Sequence, residues 1–330
     1  MRQVDYLTIA DYSALGEVPL VVVPTARYRS THVPIQSVVV GLDEAGGVPE
    51  VKPADFDLLL TVAPHPPAPW VGVMAGQCEA MVATLSQRVR DFPLAATILC
   101  QTLELSEALP FAEALLVESF AYSTLLGGGE FSAWLARRPT FAAPDPEPTE
   151  LVQMVREEDT VTLTLNHPAR RNAMTAAMRD ALYTALANAL DDPSAPKVVL
   201  KAAGKCFSVG GDLAEFGSAR DLAVAHVART LHANARMCHA LGDRLQVIFH
   251  GACIGSGLEV PAAATRRLAR EGAYFQLPEL QMGLIPGAGG TVSVARAIGR
   301  HRTAWMVLSG ARINAARALE WGLIHEVLPR

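Results

Sequence analysis

In the second half of the chain the spacing of apolar positions switches repeatedly between strand and helix periods. Two short runs at 151–155 and 160–165 read as strands, with Glu157-Glu158-Asp159 as the turn between them. Over 175–190 the period lengthens, with Met178, Leu182, Leu186 and Leu190 recurring every fourth residue, which predicts a helix that Asp191-Asp192-Pro193 stops. A strand at 197–201, one long helix at 221–241, a strand at 245–249 and helices near 290–298 and 301–308 follow. Strands alternating with helices predict an α/β domain.

The first half is patterned differently. Residues 18–62 hold three β-like runs, VPLVVVP, SVVVGL and FDLLLTV, and 80–137 read as helical. Met81, Leu85 and Val89 form one stripe, and Phe131, Trp134 and Leu135 another, both expected in the core. Gly127-Gly128-Gly129 interrupts the last helix pair. Between the halves, PTFAAPDPEPTE at 139–150 carries four prolines and reads as a semi-rigid linker. The expected division is an N-terminal α/β domain at 1–138, the linker at 139–150 and a second domain at 151–330.

Half of the 330 residues are apolar and 18% are charged, enough for a sizeable core. The net charge of −5 and a pI near 6.0 argue against nucleic acid as a partner, since that binding rests on neutralising phosphates. Five cysteines, widely spaced and without a C-x-x-C pair, suggest neither a disulfide framework nor a zinc site, but buried free thiols in a reducing compartment. The first residues lack a basic, then apolar, leader, and no apolar run reaches the ~20 residues of a spanning helix. A cytoplasmic protein with no membrane partner is expected.

Candidate chemistry sits in three stretches. AAGKCFSVGGDLAEF (202–216) and HGACIGSGLEVPAAA (250–264) are glycine turns after predicted strands; two such turns aimed at one point would offer backbone N–H groups to a carbonyl oxygen acquiring charge. Taken singly, each is better explained by tight turns and helix–sheet packing. The third stretch, FQLPELQMGLIPGAGGT (275–291), sets Glu279 beside Pro278 in an apolar run, and Glu259 lies likewise among Leu258, Val260 and Pro261. A lone glutamate in such a place is more often a cap or an ion-pair residue; two of them beside two glycine turns suggest a task. Gly204-Lys205 lacks the rest of a phosphate-binding loop, Ser208 and Ser256 lie outside G-x-S-x-G, and no G-x-G-x-x-G follows a strand. His232 and His239, seven apart on the predicted long helix, cannot share a metal, and no H-E-x-x-H occurs.

Four segments in order, LNHPARRNAM (165–174), GKCFSVGGDL (204–213), GACIGSGLEV (251–260) and PELQMGLIPGAGGT (278–291), make residues 155–328 resemble the crotonase superfamily, enoyl-CoA hydratases in particular. The resemblance implies a spiral of ββα units and a coenzyme A thioester as substrate, with no separate cofactor and no metal. It implies an oxyanion hole from the N–H groups of Gly211 and Ser256, the latter a position where relatives usually have glycine. Glu259 and Glu279 fall on the acid–base positions, Gly287 on the loop lining the reacting end, and Arg170, Arg171 and, more remotely, Lys205 near the nucleotide. Hydration of a 2-enoyl-CoA is the leading expectation; double-bond isomerisation on Glu279 alone, or a non-catalytic assembly partner with this fold, are the alternatives.

Superfamily members typically continue past the VLP motif with a helical tail that builds trimers, whereas this sequence stops at Arg330. Residues 80–137 are similar in pattern to that tail. The first half is therefore expected to be a degenerate crotonase-like unit whose helices replace the tail, in a homo-oligomer of trimer or hexamer type; an unrelated regulatory or docking domain is the competing reading.

Overall fold

The computed structural model describes residues 9–29, 35–139 and 148–329. Most of the proline-rich linker, 140–147, lies outside the described residues.

The β-branched runs of the first half form four parallel strands in sequence order, β1 (Leu20–Pro24), β2 (Val38–Asp43), β3 (Leu58–Thr61) and β4 (Val71–Gly72). Four helices follow: α1 (Cys78–Asp91), α2 (Pro93–Glu107), α3 (Phe111–Leu126) and α4 (Gly129–Arg137). Pro93 starts α2, where a missing N–H does no harm. Glu130 of α4 reaches back to accept the free N–H groups of Leu94 and Ala95 at 2.8 and 3.0 Å. Leu85, Val89 and Phe131 are buried as their stripes predict, and Trp134 and Leu135 pack at the edge of the same core.

The second half is built on a six-stranded sheet in the order β13-β10-β8-β7-β6-β5. Its strands are β5 (Val152–Glu157), β6 (Thr160–Leu165), β7 (Lys197–Ala202), β8 (Leu245–Phe249), β10 (Arg266–Arg270) and β13 (Glu326–Leu328), parallel apart from the β5–β6 hairpin. A smaller sheet joins β9 (Ala252–Ile254), β11 (Tyr274–Gln276) and β12 (Ile313–Asn314). The helix predicted at 175–190 is α5 (Ala176–Asp191), whose first turn is capped by Thr175 accepting the Met178 N–H. Further helices are α8 (Ser256–Glu259), α9 (Gly290–Ile298), α10 (Arg300–Ser309) and α11 (Ala315–Trp321).

One predicted element is wrong in detail. The long helix at 221–241 is two helices, α6 (Leu222–Leu231) and α7 (Asn234–Leu241), broken at His232 and Ala233, whose ψ angles of 44° and 92° are not helical. Two docking partners account for the break. α7 buries Ala235, Met237, Cys238 and Leu241 against α5, whereas α6 buries no residue fully and lies along α3 of the first half. Asn234 fixes the corner by donating to the Arg179 carbonyl of α5 at 3.0 Å.

The halves share one core. A continuous buried cluster runs from Val38, Leu58 and Leu99 to Met306, Trp305 and Ile324. α10 lies between them, so Arg300, His301 and Arg302 are all buried; Arg302 donates to the Trp70 and Pro66 carbonyls, and Arg300 to that of Pro53. Arg88 of α1 donates in return to the Leu308 carbonyl at 2.6 Å.

Candidate active site

The two glycine turns meet. After β7 the chain runs beside β9, with Ser208 N–H donating to the Ala252 carbonyl and Ile254 N–H to that of Ser208, both at 3.1 Å. Asn172 is fully buried and clamps this loop, its side-chain amide donating to the carbonyls of Ala203, Cys206 and Phe207. Ser208 Oγ donates to the Asn172 carbonyl and accepts the Gly210 N–H. Gly211 is thereby held against Met174 in the wall of a cavity of about 270 Å³ that Ser256, first residue of α8, also lines. Among the described residues neither the Gly211 nor the Ser256 N–H has a hydrogen-bond partner. Ser256 Oγ is likewise buried and unpaired.

Gly255 turns the chain from β9 into α8 at φ +52°, a conformation that favours glycine. It also leaves room: a Cβ there would sit 2.7 Å from Glu279 Oε1 and 3.8 Å from Glu259 Oε1. The two glutamates, twenty residues apart in sequence, therefore converge on one turn. Glu259 Oε2 accepts the N–H groups of Ala288 and Gly290 at 2.7 and 3.1 Å. Glu279 Oε2 is buried with no partner among the described residues.

A third carboxyl arrives from the first half, unforeseen in the sequence. Glu118 of α3 is 2% exposed, and it accepts the N–H groups of Gly289 and Thr291 at 2.6 and 2.8 Å and the Thr291 hydroxyl at 2.7 Å. Glu118 and Glu259 thus take alternate amides of 288–291, at the start of α9. The criterion that singled out Glu259, an acid inside an apolar run, applies equally to Glu118 in LLVESF. Tyr122, one turn on, fits over Gly287, where a Cβ would come within 2.6 Å of its Cε2.

Burial dominates the electrostatics. It pushes Glu118 up to about 7 and Glu279 up to about 8. Burial, then the charges of Glu279 and Glu118, push Glu259 well above the usual range, while the amides of Ala288 and Gly290 oppose that rise. The carboxyls titrate as a unit, and the amide donors favour placing a negative charge on Glu259 rather than on the unpaired Glu279 oxygen.

Gly287 lines the cavity with Glu118, Tyr122, Glu259 and Glu279; Arg170, Arg171 and Lys205 do not. Arg170 forms an ion pair with Asp212, and Arg171 and Lys205 are exposed on adjoining loops. His232, at the break after α6, lines the cavity and bonds Asp180 at 2.9 Å, while His239 of α7 stacks on Phe111. His250 bonds the Gly204 carbonyl. All five cysteines are free and buried. Among the described residues no helix is long and apolar enough to cross a membrane.

Residues 156–330 match the family model described as Enoyl-CoA hydratase/isomerase. The chain belongs to the enoyl-CoA hydratase/isomerase family, within the crotonase superfamily. It is 35% identical over 174 residues to the 2,3-dehydroadipyl-CoA hydratase of Escherichia coli K12, covering 53% of this chain and 68% of that protein. It is 30% identical over 170 residues to the trans-2-decenoyl-[acyl-carrier-protein] isomerase of Streptococcus mutans, covering 50% of this chain and 65% of the relative. Among solved structures, a putative enoyl-CoA hydratase from Rhodopseudomonas palustris superimposes with a TM-score of 0.51 at 32% identity, covering 57% of this chain and 72% of that one. Each of these matches spans little more than half of the present chain.

Proposed function

We propose that this hydratase/isomerase-family protein hydrates the 2,3 double bond of an α,β-unsaturated coenzyme A thioester. The observation that carries the proposal is the convergence of Glu259 and Glu279 at Gly255, in a cavity also lined by Gly211 and Ser256, whose N–H groups have no partner among the described residues. Water must add to Cβ and a proton to Cα, and charge passes through the thioester oxygen as an enolate. The two N–H groups would hold that oxygen, each worth about 3 kcal/mol when well aimed. Glu259, whose charge the Ala288 and Gly290 amides favour, takes the proton from the attacking water. Burial raises both carboxyls, but only Glu259 has the loop amides to oppose the rise, so Glu279 is the one that delivers a proton to Cα. No metal or redox group enters this scheme. Arg171 and Lys205 are the proposed phosphate contacts, with Arg170 bracing its loop through Asp212.

We also read α1–α4 as the helical cover of the catalytic half, because α1–α3 pack on α9 and α10, α4 packs on the turn at Glu279–Met282, and α3 delivers Glu118 and Tyr122 to the cavity.

The test is loss of the ultraviolet absorbance of a 2-enoyl-CoA. Glu259→Gln and Glu279→Gln are each expected to lower turnover by about 10² or more. Turnover unchanged by both substitutions would eliminate the mechanism. Labelled water separates hydration, which incorporates oxygen, from isomerisation, which does not.

A further inference from the structure

Beyond the carboxyl trio, the cavity wall holds one cation whose hydrogen-bonding capacity its surroundings leave partly unused. Arg229 of α6 lines the cavity next to Tyr122, its guanidinium carbon 4.6 Å from the ring centroid. One of its nitrogens, Nη1, donates to Ser119 Oγ at 2.7 Å, Ser123 Oγ at 3.1 Å and the Ser119 carbonyl at 3.3 Å. Nε and Nη2 make no hydrogen bond among the described residues, and no carboxylate of those residues forms an ion pair with Arg229.

The acidic groups around it make their hydrogen bonds elsewhere, although Glu118 is near enough to offset part of its charge. Both Glu118 oxygens accept from the Gly289 and Thr291 amides. Asp180 serves Arg179 and His232, the other basic side chains on the wall. Glu215, at the rim, accepts the Ala176 N–H. Glu259 and Glu279 face each other across Gly255. An acyl tail ending in a methyl group would strip water from the free edge of the guanidinium and replace it with nothing, which is unfavourable for a charged donor. A carboxylate would accept from both free nitrogens at once, the planar fork that arginine offers best.

We infer that the acyl group of the substrate carries a carboxylate at the end remote from the thioester, and that Arg229 is its receptor. The inference rests on the enoyl-thioester reading above and names the class of acyl group within it. Ser119 and Ser123 orient the guanidinium through Nη1, and Tyr122 supports one side of it, leaving the Nε–Nη2 edge for the ligand.

The experiment compares two trans-2-enoyl-CoA thioesters of equal chain length, one ending in a methyl group and one in a carboxylate, with the full-length protein. The wild type should show a kcat/KM at least about tenfold higher for the carboxylate-ended thioester, and Arg229→Met should shrink that ratio by about 10- to 100-fold. Arg229→Lys should restore part of it. A wild type that favours the methyl-ended thioester overturns the inference, whether or not the variants fold. So does a ratio that Arg229→Met leaves intact, or a loss equal for both thioesters, which would mark Arg229 as a contact for coenzyme A phosphate or a prop for Tyr122. Calorimetric binding of the two saturated acyl-CoA analogues gives a second readout. Preferential binding of the carboxylate-ended analogue, lost in Arg229→Met, upholds the inference even where no hydration occurs; hydration without any such preference leaves the hydratase reading standing and this one fallen.

Discussion

Glu279 concentrates the electrostatic tension of the site in one side chain: a buried carboxyl with one oxygen lacking any partner among the described residues. Burial raises it from 4.5 to about 8, so the folded protein retains a proton that the unfolded chain releases. The stability it contributes is fully present below about 4.5 and is lost as pH rises through about 8. The slope is at most about 1.4 kcal/mol per pH unit for one carboxyl. Glu118, raised to about 7, adds a loss of the same sign over a window that closes earlier. Glu279→Gln removes its own share. Urea denaturation at pH 5, 6.5 and 8 should therefore give a flatter profile for the variant than for the wild type, with the variant gaining relative stability toward pH 8 while its turnover falls. Parallel profiles would mean that Glu279 is not held protonated by the fold.

Among the elements, the junction between α3 and the turn before α9 links the two halves most directly to the chemistry. Gly287 is required there by close approach, since any Cβ would enter the Tyr122 ring. Gly287→Ala should destabilise the protein by about 1–3 kcal/mol as an overpacking change and displace the amide of Ala288 that holds Glu259. Tyr122→Ala should cost stability through a cavity, yet the double variant should recover part of the Gly287→Ala loss; additive effects in the double-mutant cycle would show that ring and turn are uncoupled. The sequence was informative where a motif is local: the glycine turns, the two glutamates in their apolar runs, the strands β5–β8 and the helices α5, α9 and α10 were legible, whereas β9–β13, α8 and α11 were not. It marked Glu118 only as an acid in an apolar run, without its partners about 170 residues away, and it was silent on the α6–α7 break, which depends on α6 docking to a helix of the other half. Arg170 illustrates the reverse: its residue type suits a phosphate, but its ion pair with Asp212 is set by contact between two loops.

At the scale of the whole molecule, these long-range contacts make the first half part of the catalytic unit in the proposed reading. Removing residues 1–138 would expose the apolar face of α10 and the buried side chains of Arg300, His301 and Arg302, and would leave the amides of Gly289 and Thr291 without Glu118. Each buried donor so orphaned costs about 1–3 kcal/mol, against a total stability that for a domain is only about 5–15 kcal/mol. A chain beginning at residue 151 is therefore expected to be insoluble or inactive. Cutting the chain within 139–150, with both halves present, tests the cause, because it breaks covalent continuity while sparing the shared core from Val38 to Ile324. The two fragments should co-purify and hydrate substrate at a rate near that of the intact chain. A 151–330 fragment that is folded and fully active alone would show that α1–α4, Glu118 and Tyr122 are dispensable to the site, and the catalytic half would have to be treated as a self-sufficient enzyme.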